Sequence, residues 1–189
     1  MKFRSIKVAA VVLATAPVLA AGAVSTMSAS AATPGHVTEV MKILTTGKLA
    51  GSGEQPRITN SSWTVHKGQT VTVKIISFDD GAAALMGKYM KYTMVMGTKT
   101  GKELVAGKAA GMVSDINISH TFTVAGLGFN MPIPVAPTGK SITVVATFTP
   151  NKVGTFTWNC FAPCGSGSTG MAGAMKTNNW MTGKIKVVA

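Results

Sequence analysis

Apolar and polar residues alternate with period two over much of the chain. After a turn at His66-Lys67-Gly68, Val71, Val73 and Ile75 alternate with Thr70, Thr72 and Lys74, the pattern of a half-buried strand. Tyr92, Met94 and Met96 repeat it. The run Asp115 to Val124 is the clearest case. It puts Ile116, Ile118, His120, Phe122 and Val124 on one face and Asp115, Asn117, Ser119, Thr121 and Thr123 on the other. Further strands are predicted at Ile142 to Phe148, Thr155 to Cys160 and Lys184 to Val188, and Phe156, Trp158 and Cys160 share a face of the second. One segment departs from this rhythm. From Pro34 to Leu44, Val37, Val40, Met41 and Leu44 fall at i, i+3, i+4 and i+7, with Gly47 beyond, which predicts a short amphipathic N-terminal helix.

Gly51 to Ser62 reads as a loop. Turns at Gly139-Lys140, Pro150 to Gly154 and Gly165 to Gly173 separate the later runs. Between Asp79 and Ser114 the pattern predicts a short helix around Ala82 to Tyr89, a strand and a lysine-bearing loop. Many short strands with regular turns make this an all-β chain, a Greek-key sandwich or barrel.

The N-terminus follows a different logic. Lys2, Arg4 and Lys7 precede an almost continuous apolar run from Val8 to Val24, and Ala29-Ser30-Ala31 offers small residues for cleavage. Residues 1–31 are therefore read as a signal peptide, residues 32–62 as the N-terminal helix and loop, and residues 63–189 as the main domain. An exported protein is expected, on the extracellular, periplasmic or cell-surface side of the membrane.

The chain carries 18 Lys and Arg against six Asp and Glu, an excess that favours acidic partners or an anionic membrane surface for peripheral association. The lysines are dispersed, without a basic run or interleaved aromatics, which argues against nucleic acid. Scarce carboxylates also suit an acidic exterior, since few native ion pairs are lost when acids protonate. No nucleophile with a paired base, no carboxylate pair and no phosphate-cradling loop stands out, so the chain is not read as an enzyme.

The candidate chemistry lies in the second half. Cys160 and Cys164 are the only cysteines, His120 is the last histidine, and Met171 follows in a glycine-rich loop. Strand phase turns His120 and Cys160 inward, and the loop carrying Cys164 and Met171 can fold back over them. Two thiolates, an imidazole and a thioether form a soft set that suits copper and disfavours calcium or magnesium. Structural zinc more often has four Cys and His ligands. A Cys160–Cys164 disulfide remains the alternative, since exported proteins oxidise paired cysteines. Met175 is a rival for the role of Met171.

Ser119-His120-Thr121-Phe122-Thr123-Val124, Leu127-Gly128-Phe129, Ile133-Pro134, Gly154-Thr155-Phe156 and the run from Cys160 through Cys164-Gly165 to Met171 together resemble the copper A domain of cytochrome c oxidase subunit II. They are similar also to the related domain of nitrous oxide reductase and, more loosely, to other cupredoxins. The resemblance implies a cupredoxin fold, with Cys160 and Cys164 as bridging thiolates, His120 and Met171 completing one metal, and the Ala162 carbonyl at a second. Where the family has its second histidine, this chain has Ser168, so one copper ion is expected in place of a pair. His36 and His66 are the only other histidines that could substitute.

The sequence thus points to an exported one-electron carrier holding copper through His120, Cys160, Cys164 and Met171. Its partner would be a cytochrome or terminal oxidase with an acidic docking face. Two alternatives stay open: a Cu(I) carrier or buffer for oxidase assembly, and a metal-free sandwich module with the loop disulfide.

Overall fold

A computed structural model describes residues 35–45, 56–165, 173–177 and 179–189. Residues 1–31, predicted as a signal peptide, and Ser168 and Met171 lie outside the described residues.

Among the described residues eleven strands build two sheets. They are β1 (His36–Leu44), β2 (Arg57–Ile58), β3 (Trp63–His66), β4 (Thr70–Ser77), β5 (Glu103–Val105), β6 (Lys108–Ala110), β7 (Ile118–Val124), β8 (Phe129–Pro134), β9 (Ile142–Phe148), β10 (Gly154–Asn159) and β11 (Thr182–Val188). One sheet runs β2-β1-β4-β9-β5-β6 and the other β3-β11-β10-β7-β8. Neighbours in each sheet are mostly distant in sequence, so the chain crosses repeatedly between the layers. This is the all-β, two-sheet Greek-key architecture that the alternation predicts. Among the described residues no helix is long and apolar enough to cross a membrane.

The predicted N-terminal helix at Pro34 to Leu44 is instead strand β1. It pairs in parallel with β4 from His36↔Thr70 to Ile43↔Ser77, burying Met41 and Ile43 and leaving Val40 45% exposed. Val37, Met41 and Ile43 satisfy a period of two as well as Val37, Val40, Met41 and Leu44 satisfy 3.6. The free edge of β4 and the β-branched content of β1 decide for the strand. The helical content sits elsewhere, chiefly in a 3-10 helix at Gly87–Thr93, close to the short helix predicted around Ala82 to Tyr89. That helix takes in Tyr92, while Met94 and Met96 make only isolated bridges to Met112 and Asn130. The lysine-bearing loop is the β5–β6 hairpin.

Between the sheets the core is aromatic and aliphatic. Phe122 stacks on Trp158 at 4.6 Å and meets Phe129 edge-on at 6.2 Å, and Phe129 stacks on Phe148 at 4.4 Å. Trp158 Nε1 donates to the Ser61 carbonyl at 2.7 Å, giving the buried indole N–H the partner it needs. Gly183 lies against that contact: a Cβ there would stand 1.9 Å from the Ser61 oxygen, so no larger residue fits.

Strand β7 departs from the predicted alternation in an instructive way. It starts at Ile118, with Ile116 in a preceding 3-10 turn and 69% exposed. From there every residue to Val124 is buried, on both faces. The polar face is covered because its groups are bonded: Ser119 Oγ donates to a carbonyl of β8, 3.3 Å from both Ile133 and Pro134. Thr123 Oγ1 donates to Asn130 Oδ1 at 2.6 Å. A register irregularity between Ile118 and His120 sits immediately beside the histidine, the kind of bulge that re-aims a side chain.

Candidate metal centre

Three of the predicted donors converge. His120 from β7, Cys160 at the end of β10 and Cys164 four residues on place their ligand atoms within 4.8 Å of one another. His120 and Cys160 are fully buried and Cys164 is 5% exposed. Both cysteines are free, their Sγ atoms 3.5 Å apart, far beyond the about 2.05 Å of a disulfide.

The local chain explains the convergence. Cys160 N donates to the Met181 carbonyl at 3.1 Å, closing the end of the β10–β11 ladder. Past it, Phe161 N donates to Thr121 Oγ1 at 2.9 Å, and Thr121 N donates to Cys160 Sγ at 3.4 Å. The residue after the histidine therefore holds both the first thiol and the chain that leaves it. Cys164 N then donates to the Ala162 carbonyl at 2.7 Å, a tight turn that brings the second thiol back. The same carbonyl oxygen lies 3.5 Å from Cys160 Sγ.

The histidine is oriented by a residue that periodicity does not reveal. Its Nε2 donates to Asp79 Oδ2 at 2.8 Å, the only ion pair among the described residues, which leaves Nδ1 facing Cys160 Sγ at 3.9 Å. Asp79 lies just past β4. Its other oxygen accepts from Gly81 N at 2.8 Å, and its carbonyl accepts from Ala136 N at 2.8 Å. The signal available in sequence was slight: one of six acidic residues, directly after a strand, in an Asp-Asp-Gly stretch that reads as a turn.

These contacts overcome burial. Burial opposes charge on Asp79, but the hydrogen bond and charge of His120 outweigh it and hold the carboxyl below its ordinary range. Burial likewise opposes charge on His120, yet Asp79 and Cys160 raise it to about 9. The Cys160 thiol resists ionisation through burial, but donors from Cys164 and His120 bring it well below its usual value. Cys164 moves the other way: its hydrogen bond to Cys160, then burial, keep its proton in place. The metal-free cluster is thus a carboxylate, an imidazolium and a thiolate in sequence, with a thiol donating to the last.

The donors fit a metal ion. Two sulfurs about 2.3 Å from a tetrahedral ion stand about 3.8 Å apart, and such a sulfur and a nitrogen about 3.5 Å apart. The corresponding separations here are 3.5 Å and 3.9 Å. A ligating imidazole commonly gives its second N–H to a carboxylate, as His120 does. Met175 is half-buried against the core. His36 bonds Thr72 and His66 bonds the Ala189 carbonyl, both exposed, and neither belongs to the donor group.

No protein-family model matches the chain, and no curated protein matches it. Among solved structures it is similar to rusticyanin from Thiobacillus ferrooxidans, at 18% identity over 80% of this chain and 77% of that one, with a TM-score of 0.40. It is similar also to reduced rusticyanin, at 19% identity over 80% and 79%, TM-score 0.39. A third is a rusticyanin described as a copper protein, at 20% identity over 80% and 77%, TM-score 0.39.

Proposed function

We propose that this chain is an exported, cupredoxin-like copper protein that carries single electrons, holding one copper ion through His120, Cys160 and Cys164 with Met171 as the fourth donor. The observation that carries the reading is the convergence of a His120 ring nitrogen and both sulfurs within 4.8 Å, with Nδ1 3.9 Å from Cys160 Sγ while Nε2 is tied to Asp79. Soft sulfur donors favour copper over hard cations, and three Cys and His ligands fall short of a structural zinc set.

Copper bound here supplies reversible one-electron chemistry. The chain's own residues set its conditions. Two strands and a hydrogen-bonded turn fix three donors before any metal arrives, so little rearrangement accompanies a change of charge. Asp79 selects the tautomer in which Nδ1 is free to bind once its proton has left. Cys164 and His120 must each give up a proton on loading, so affinity rises with pH. Burial keeps water from the donors. The excess of basic residues steers an acidic cytochrome or oxidase face toward the protein.

Optical and EPR spectra with metal analysis on the Cu(II)-loaded chain test the reading. The expected result is intense thiolate-to-copper bands, one copper per chain and a four-line hyperfine pattern. A colourless protein that retains Cu(I) in a form lost in Cys160→Ser/Cys164→Ser would move the assignment to the copper carrier. No bound copper in either state would overturn both.

A further inference from the structure

Away from the buried cluster, the exposed thioethers are distributed unevenly. Four of the large exposed apolar side chains are methionines, Met86, Met90, Met94 and Met112, at 65%, 42%, 54% and 59% exposure. Two of them are directly paired. Met94 and Met112 are antiparallel bridge partners, flanked by Val95 N donating to the Gly111 carbonyl and Val113 N to the Thr93 carbonyl, both at 2.9 Å. Those bonds make Met94 and Met112 the non-hydrogen-bonded pair of the ladder, the arrangement in which facing side chains approach most closely. The backbone beneath is pinned: Asn130 Nδ2 donates to the Tyr92 and Met94 carbonyls at 2.9 and 2.6 Å.

We propose that Met94 and Met112 form a surface site for a soft monovalent cation, Cu(I) or Ag(I), held between their two thioether sulfurs. Facing Cβ atoms about 4.5–5.5 Å apart, each bearing a long unbranched side chain, bring two sulfurs to opposite sides of one ion without moving the backbone. Thioethers are soft donors and carry no proton to lose, so this site keeps its affinity in acid, where thiol and imidazole sites weaken. The lysines of the neighbouring 3-10 helix are turned onto aromatic rings, Lys88 at 5.3 Å from the Tyr89 centroid and Lys91 at 5.0 Å from that of Tyr92. The site stands whether or not the buried donors take copper.

The test is a titration of the full chain with Ag(I) at pH 4 and pH 7, following the methionine ε-methyl signals by NMR. Once the thiols are saturated, a further equivalent is expected to move the Met94 and Met112 signals together at both pH values. Met86 and Met90, exposed but without this pairing, serve as internal controls, as do buried Met131 and Met181. In Met112→Leu the apparent affinity at Met94 is expected to fall at least tenfold, with the buried methionine signals unmoved. Equal shifts at all four exposed methionines, an unchanged Met94 response in Met112→Leu, or no response at Met94 and Met112 would each overturn the proposal.

Discussion

Two carboxylates shielded from solvent to different degrees, Asp79 with its side chain 16% exposed and Glu103 at 2%, meet opposite fates. Asp79 lies beside the candidate centre with both oxygens hydrogen-bonded, one to His120 and one to Gly81. It stays ionised. Glu103, on the β5–β6 hairpin, is 2% exposed with neither oxygen partnered, and burial lifts its carboxyl to about 8. A buried charge persists where neighbours are arranged to receive it and disappears where they are not. The difference separates a prepared site from a buried group whose burial costs stability once it ionises.

The largest expected effect comes from removing a thiolate. Cys160→Ser takes away the sulfur that Thr121 N, Cys164 and His120 all face. Copper affinity is expected to fall by orders of magnitude and the charge-transfer bands to vanish, read by competition with a chelator and by absorption. Survival of the bands would place the centre elsewhere.

Glu103 sharpens the comparison from the other side. Its folded-state pKa of about 8 exceeds the ordinary 4.5, so its contribution to stability is fully present below about pH 4.5 and is lost as pH rises through 8. Glu103→Gln, which cannot ionise, should therefore match the parent near pH 4 and exceed it by roughly 5 kcal/mol at pH 9, measured by denaturant unfolding. A constant difference at both pH values would mean that ionisation is not its origin.

Asp79→Asn keeps an acceptor but removes the charge. Copper affinity is expected to drop 10- to 100-fold. In the metal-free protein, the His120 titration followed by NMR should move down from about 9. Unchanged affinity would reduce Asp79 to a packing residue.

The smallest effect concerns the fourth donor. Met171→Leu is expected to shift the visible bands while leaving copper bound, and Met175→Leu to leave them in place. The reverse pattern would give the role to Met175.

Much of this was legible in the sequence because strands announce themselves. Alternation placed His120 and Cys160 on inward faces, and the short spacing to Cys164 brought the second thiol along. What stayed hidden was set by contacts across the fold. Asp79 is 41 residues from its partner and carries no periodic signal. Glu103, between Lys102 and Lys108, carries no signal of its burial, which comes with the place of β5 between β9 and β6. Val37 to Leu44 fits two periods at once, and the β4 edge chose between them. Thr121 and Thr123 read as a solvent face, yet their hydroxyls are satisfied within the protein, which let β7 sink into the core and carry the histidine with it.

The most direct measurement is X-ray absorption at the copper edge on the loaded full-length protein. For the Cu(II)-loaded site the account predicts one copper per chain with two thiolate sulfurs, an imidazole and the Met171 thioether in its first shell, the two thiolate sulfurs lost in Cys160→Ser/Cys164→Ser. A first shell of nitrogen and oxygen alone, with Cys160 and Cys164 joined as a disulfide, would contradict it.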